Sequence, residues 1–189
     1  EFVVCMADVS GKGIAAALLM ANVQAVLRTL ARQTSDLKEL VLELNRRVME
    51  ITNGDKFITL FLTKYNLKTR KLNYINAGHN PPIMFVNGET KLLESGTTIL
   101  GAIEKLPFVN EGNLVLPKNT VIMTYTDGLT DLESEDGEYF EMERLQSFVE
   151  QFAHLKMSDF NEQLLQNIKA FKGEQEYTDD VSVLSYRIF

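Results

Sequence analysis

Residues 2–14, FVVCMADVSGKGI, show how the first part of the chain folds. The short apolar run Phe2 to Ala7, with its β-branched valines, predicts a buried strand, and Asp8 is expected at its end. Gly11-Lys12-Gly13 predicts a turn, because two glycines flank a single polar residue. Ile14 to Ala31 is rich in Ala, Leu and Met, which predicts a helix. A strand, a carboxylate and a helix therefore follow one another closely.

Beyond this stretch the pattern alternates between helices and hairpins. A second helix is predicted after Ser35, the expected N-cap, because apolar residues recur at helical spacing as far as Ile51. Short runs rich in Phe, Ile, Thr and Tyr predict strands, paired in part by turns such as Asn87-Gly88, at 57–65, 71–76, 83–86, 90–93, 114–116 and 120–126. Helices are predicted at 142–152 and from Asp159, and a last strand at 181–188. The chain is thus predicted to form one α+β domain over residues 1–189.

Charge and composition exclude several functions. The net charge of −7, with no cluster of basic residues, argues against a nucleic-acid partner. Cys5 is the only cysteine, so an intramolecular disulfide and a thiolate metal cluster are excluded, and a reducing, cytoplasmic location is expected. The longest uninterrupted apolar run, Ile14 to Ala21, is shorter than the roughly 18 residues of a membrane span, so no membrane contact is expected. The abrupt start at Glu1 suggests that natural sequence precedes it.

Aspartates adjoin three predicted strands: Asp8 and Asp127 at strand ends, and Asp179-Asp180 at a strand start. If these strands are neighbours, their carboxylates converge and offer the oxygen ligands that Mg²⁺ and Mn²⁺ prefer. Two such ions could activate water and hold a phosphoryl group. The alternative is that each aspartate only ends a strand or caps a turn. Both interpretations remain open from the residues alone.

Two other motifs have competing interpretations. Lys12 lies between two glycines before a helix, but the spacing of a phosphate-binding P-loop is absent. Lys12 could contact a substrate phosphate or lie solvated on the surface. His79 could act as a general acid or a metal ligand. Because no histidine or cysteine lies beside it, we favour a histidine that orders its own loop by hydrogen bonding.

Four motifs together resemble the bacterial sporulation stage II protein E-type branch of the PPM, or protein phosphatase 2C-like, family: ADVSGKG at 7–13, NAGH at 76–79, YTDG at 125–128 and TDDV at 178–181. The resemblance extends over essentially the whole chain. It implies a four-layer α-β-β-α sandwich of two mainly antiparallel sheets, with a binuclear Mn²⁺ or Mg²⁺ centre at one edge.

The resemblance also implies a role for each acidic residue. Asp8 would bridge the two ions, and the carbonyl of Val9 would contact one of them. Asp127 and Asp179 would bind the other ion, with Asp180 as the neighbour that could replace Asp179. Asp131 would help to hold a further, weaker ion. Asp8, Asp127 and Asp179 would therefore support the catalytic step.

The implied activity is hydrolysis of phosphoserine or phosphothreonine by metal-activated water. The implied substrate is an anti-sigma-factor antagonist, and the implied partner is an upstream sensory domain; a homodimer is also compatible. Relatives carry an upstream Gly-Gly-Asp strand that has no match here, so the domain at 1–189 is expected to lack its N-terminal strand, and Ala7 replaces a common glycine. The alternative function is a non-catalytic protein-binding module with a degenerate phosphatase fold.

Overall fold

The computed structural model describes all residues from Glu1 to Phe189. The chain forms two compact units. Unit 1 contains Glu1–His79 and Glu94–Val115, and unit 2 contains Asn80–Leu93 and Leu116–Phe189. Each unit consists of one β-sheet with helices packed against it.

The sheet of unit 1 has five strands in the order β1-β2-β3-β6, with β7 also paired to β3. Neighbours are antiparallel except for β3 and β6, which are parallel. The strands are β1 (Phe2–Val9), β2 (Ile58–Tyr65), β3 (Lys71–Ala77), β6 (Gly96–Thr97) and β7 (Gly112–Val115). Strand β2 lies inside the sheet and is largely buried on both faces, which agrees with its run of large apolar residues.

Two helices cover this sheet: α1 (Ile14–Gln33) and α2 (Leu37–Thr52). Their apolar faces and residues of β2 and β3 form one core, which includes Leu44, Ile58 and Ile75. The side chain of Asp36, not Ser35, caps α2 by accepting hydrogen bonds from the backbone N–H groups of Lys38 and Glu39. The predicted helix is therefore confirmed, but its predicted N-cap is wrong by one residue.

Helix α1 is long and apolar enough, by length and composition, to cross a membrane. The uninterrupted apolar run at its start, Ile14 to Ala21, is shorter than a membrane span, but the whole helix is not. Core helices of globular units can share this length and composition, and Leu19, Val23 and Leu27 of α1 are buried in the core of unit 1. Most of α1 is nevertheless not buried, since Leu18 and Met20 are more than half exposed. Composition is thus weak support for a membrane span, and the expected lack of membrane contact stays a prediction.

The sheet of unit 2 is antiparallel, with four strands in the order β5-β4-β8-β9. The strands are β4 (Ile83–Val86), β5 (Glu89–Leu92), β8 (Val121–Tyr125) and β9 (Val183–Arg187). Every residue of β8 is buried, as expected for a central strand with a continuous apolar run. The predicted 83–86 and 90–93 hairpin is confirmed within one residue.

Three helices belong to unit 2: α3 (Asp127–Thr130), α4 (Glu141–Phe152) and α5 (Met157–Lys172). Aromatic residues join the two longer helices, since the ring of Phe148 lies 4.8 Å from that of Phe152 and 5.0 Å from that of Phe160. Helix α5 begins two residues before Asp159, the predicted start. Its N-cap, Lys156, makes no side-chain capping bond.

The predicted α+β class with two mainly antiparallel sheets is confirmed. Strand β6 and the single turn α3 were not predicted. The runs at 114–116 and 120–126 resembled neighbouring strands around a turn, yet β7 belongs to the first sheet and β8 to the second. The assignment of 1–189 to a single domain stays a prediction.

Candidate metal and phosphate site

The end of β8 and the segment before β9 are tied together by Thr126. Its backbone N–H donates to the carbonyl of Ser182 at 3.0 Å, and its hydroxyl donates to the carbonyl of Asp180 at 3.1 Å. The same hydroxyl accepts from the N–H of Ser182 at 2.9 Å. These bonds extend the β8–β9 pairing past its last residues, so Asp127 and Asp180 emerge side by side.

Gly128 shows how closely the two acidic segments approach. A Cβ atom added there would lie 2.5 Å from the carbonyl oxygen of Asp180 and 3.3 Å from the carbonyl carbon of Asp179. Real Cβ atoms do not approach other atoms within 3.0 Å, so a glycine is needed at this contact. The backbone beside Asp127 thus packs against the backbone of Asp179 and Asp180 within unit 2. Convergence of their carboxylates on one ion stays a prediction.

Asp131 lies one helical turn after Asp127. The N–H of Asp131 donates to the Asp127 carbonyl at 2.8 Å, and the Thr130 hydroxyl donates to the same carbonyl at 3.1 Å. Asn80 donates in turn to the Thr130 hydroxyl at 3.3 Å. Asp127 and Asp131 are exposed, as are Asp179 and Asp180. Their carboxylates are therefore open to hydrated ions and to substrate.

A groove of about 910 Å³ adjoins this acidic corner of unit 2. Its lining includes Asn80, Pro81, Thr130, Asp131, Glu133, Tyr139, Glu141, Met142, Glu143 and Thr178. The buried hydroxyl of Tyr125 donates to the carbonyl of Pro81 at 3.2 Å and contacts the sulfur of Met142 at 2.9 Å, which fixes two walls of the groove. Burial raises the pKa of Tyr125 far above its ordinary value, so this hydroxyl keeps its proton.

Asp8 and Val9 belong to unit 1. Both lie within β1, so the strand continues one residue beyond Asp8 instead of ending before it. The next residue, Ser10, donates its N–H to the Phe57 carbonyl and accepts the Phe57 N–H on its hydroxyl, both at 2.9 Å. These two hydrogen bonds fix the chain directly after Val9. Asp8 itself is exposed, and Lys12 is exposed in the turn that follows.

His79 lies in the loop after β3 and is only 5% exposed. The loop is ordered by Asn76, whose side chain accepts the His79 N–H at 2.8 Å and donates to the His79 carbonyl at 2.9 Å. The imidazole Nδ1 lies 2.9 Å from the hydroxyl of Thr59 on β2. This agrees with the preferred interpretation of a hydrogen-bonded histidine that helps to order its loop, because the imidazole joins the loop to β2. The side chain of Asn76 shares that role by bonding to the loop backbone.

The donor set fits a hydrated divalent ion. No group of three or more His, Cys, Asp or Glu side chains is placed to hold a metal by itself. Mg²⁺ keeps several waters and is commonly held by one or two carboxylates. The contact at Gly128 brings the backbone beside Asp127 against that of Asp179 and Asp180, so neighbouring segments carry carboxylates of this kind. The chemistry is that of a hard, oxygen-preferring ion.

Comparison with solved structures shows the class of this fold. The PP2C domain of SiaA from Pseudomonas aeruginosa superposes with a TM-score of 0.88 at 18% identity, covering 99% of this chain and 76% of that chain. The catalytic domain of the serine/threonine phosphatase PstP, solved with two manganese ions, gives a TM-score of 0.70 at 15% identity. That match covers 99% of this chain and 88% of the PstP chain. The fold is that of the PP2C-type phosphatases.

The sequence places the chain within that class. The family model described as Stage II sporulation protein E (SpoIIE) matches residues 1–189, and the chain belongs to this family of PP2C-type serine/threonine phosphatases. Phosphoserine phosphatase RsbU of Bacillus subtilis is 29% identical over 150 residues. That match covers 78% of this chain and 44% of RsbU, so the chain corresponds to less than half of that relative. The predicted family is confirmed.

Three residues that support the candidate site residues of the two units had no recognised role in the sequence. Thr126 and Thr59 act through hydrogen bonds across strands, and a threonine in a strand is ordinary enough to give no signal. Gly128 stood within the YTDG motif, but its role depends on the approach of residues more than fifty positions later. The contacts of Thr126 and Gly128 follow from the pairing of β8 with β9 in unit 2, and that of Thr59 from the loop after β3 in unit 1.

Proposed function

We propose that this domain hydrolyses phosphoserine or phosphothreonine on a protein, and that it depends on Mn²⁺ or Mg²⁺. The contact between Gly128 and the Asp179-Asp180 backbone is the main structural support, because it joins the backbones of two acidic motifs that are distant in sequence. The family membership and the naming of RsbU as a phosphoserine phosphatase support the same reaction.

We assign the ion ligands as the resemblance implies them. Asp127 and Asp179 would hold one ion, with Asp180 as the alternative to Asp179. Asp8 and the carbonyl of Val9 would also help to hold the ions. Asp131 would hold a further, weaker ion. When bound, the ions supply positive charge to the phosphoryl oxygens and lower the pKa of water.

The protein positions the carboxylates and leaves them accessible to a phosphorylated side chain. Thr126 holds the two acidic segments in register, and the exposure of their carboxylates leaves room for a phosphorylated side chain. The open groove beside Asp131 gives an extended protein segment a surface to lie on. A fixed array of carboxylates needs little rearrangement during the reaction, which is where such sites gain their rate.

For the physiological substrate we propose a phosphorylated anti-sigma-factor antagonist, and for the partner a regulatory domain elsewhere in the same polypeptide. The similarity to RsbU supports both proposals, since this chain spans 44% of that relative. A cytoplasmic location, with no nucleic acid and no membrane contact by this domain, completes the proposal. A homodimer is compatible with it.

The test uses the full-length protein with Mn²⁺ and either p-nitrophenyl phosphate or a phosphoserine protein. Asp127→Asn is expected to lower kcat/KM by about 100-fold, equal to about 3 kcal/mol of transition-state stabilisation. Asp136→Asn is the matched control, because this exposed aspartate in unit 2 lies outside the groove and should leave activity unchanged. Full activity of Asp127→Asn would contradict the assignment.

The second candidate is a non-catalytic protein-binding module. One observation favours it: no three potential ligands are grouped to hold an ion without help from water. Calorimetry separates the two functions, because a catalytic domain should bind Mn²⁺ at millimolar concentration or below. No heat of binding under those conditions would favour the binding module.

A further inference from the structure

The backbone of the loop that carries His79 has supports other than the imidazole. Asn76 already bonds to both backbone groups of His79. Gly78 adds a second constraint, since its φ of +67° suits glycine and a Cβ there would lie 2.5 Å from the Ile99 side chain. The loop backbone is thus fixed from two sides, and the position of the ring follows from it.

The ring is directed at a strand neighbour of Asp8. Its Nδ1 lies 2.9 Å from the hydroxyl of Thr59, and Thr59 pairs directly with Asp8 across β1 and β2. Directly opposed residues of antiparallel strands have side chains on the same face, with Cβ atoms about 4.5–5.5 Å apart. His79, Thr59 and Asp8 therefore form a chain of neighbours within unit 1.

A hydrogen bond to Thr59 limits where its side chain can lie. Threonine has few χ1 rotamers, and a bond from a fixed partner selects one of them. The selected rotamer sets the space and polarity beside Asp8. Residues that orient a metal ligand in this indirect way commonly change metal affinity by about 10- to 100-fold when they are altered.

We propose that His79 is a positioning residue that acts through Thr59 on the carboxylate of Asp8 and so raises the affinity of the site for divalent metal. This inference rests on the proposed function, because it takes Asp8 as a metal ligand. It assigns His79 no part in proton transfer and no direct contact with the ion.

The test measures Mn²⁺ binding to the full-length protein by isothermal titration calorimetry. Thr59→Val keeps the shape of the side chain but removes the hydroxyl, and it should weaken binding by about 10- to 100-fold. Thr59→Ser keeps the hydroxyl and should bind within about 3-fold of wild type if the bond to His79 matters. His79→Leu should weaken binding to the same extent as Thr59→Val.

Thr63→Val is the matched control. Thr63 lies on the same strand, and its hydroxyl donates to the carbonyl of Val4 on β1 at 3.2 Å, but it is four residues from Thr59. Its Mn²⁺ affinity should equal that of wild type. The melting temperature without metal checks the fold of each variant, and Thr59→Val decides the question if His79→Leu does not fold.

The outcomes separate this inference from the function on which it rests. If Asp8→Asn weakens Mn²⁺ binding and Thr59→Val does not, the role of His79 is refuted and the proposed metal site stands. If Thr59→Ser binds as weakly as Thr59→Val, the hydroxyl is irrelevant and the inference fails. If Asp8→Asn binds Mn²⁺ as wild type does, both the ligand assignment and this inference fail.

Discussion

Gly128 has a backbone conformation that other residue types can adopt, but its surroundings leave no room for a side chain. Its φ is not positive, so an alanine would be strained only by its contact with the Asp180 carbonyl. We expect Gly128→Ala to lower the free energy of unfolding by about 1–3 kcal/mol, as overpacking does. It should also weaken Mn²⁺ binding, because Asp127 and Asp180 must move apart. Urea denaturation and calorimetry measure the two effects.

Gly88 provides the control for that substitution. Its φ is +90° and no atom lies within 4 Å of an added Cβ, so Gly88→Ala introduces backbone strain without a clash. It should cost about 1–2 kcal/mol of stability and leave Mn²⁺ affinity unchanged. Equal loss of metal affinity in both variants would mean that general destabilisation, not the Gly128 contact, controls the site.

At this scale the motifs identified candidate acidic residues, whose metal-binding roles stay predictions, and gave no indication of the residues that support them. The closeness of Asp127 to Asp179-Asp180 could be expected once two strands were known to carry them. The hydrogen bonds of Thr126 could not be expected, because they depend on the register of β8 against β9. Local pattern identifies which residues lie at strand ends, whereas register decides which of them touch.

Helix α2 offers a test of capping at the scale of one element. Asp36 accepts hydrogen bonds from Lys38 N–H at 2.8 Å and from Glu39 N–H at 3.2 Å. Asp36→Ala should therefore lower the free energy of unfolding by about 1 kcal/mol. Ser35→Ala should change it little, since the side chain of Ser35 makes no capping bond. Chemical denaturation of both variants compares the predicted cap with the observed one.

The elements themselves were largely predictable because most carry strong periodicity. Helix α2 and strand β2 have long apolar patterns and were found within one or two residues of their ends. Strand β6 has two residues and helix α3 has four, too few to show any period. Strand β7 was found as an element but not placed, because its partner β3 lies about forty residues earlier.

Each unit has a hydrophobic core built from its own residues. Leu44 is fully buried in the core of unit 1, and Phe160 is fully buried in that of unit 2. Leu44→Ala is expected to cost about 2–5 kcal/mol and Phe160→Ala about 3–5 kcal/mol. In hydrogen exchange, each substitution should raise the rates of core amides in its own unit first. A uniform rise throughout the chain would indicate one cooperative body instead.

The division of the chain between the units has a consequence for synthesis on the ribosome. The hairpin of β4 and β5 emerges before β6 and β7 complete unit 1, and its own partner β8 comes only at residue 121. At a synthesis rate of about 5–20 residues per second, the apolar face of that hairpin stays uncovered by its neighbouring strand for about two to seven seconds. A nascent chain of this protein therefore passes through a stage in which Ile83 and Phe85 are open to chaperones or to aggregation.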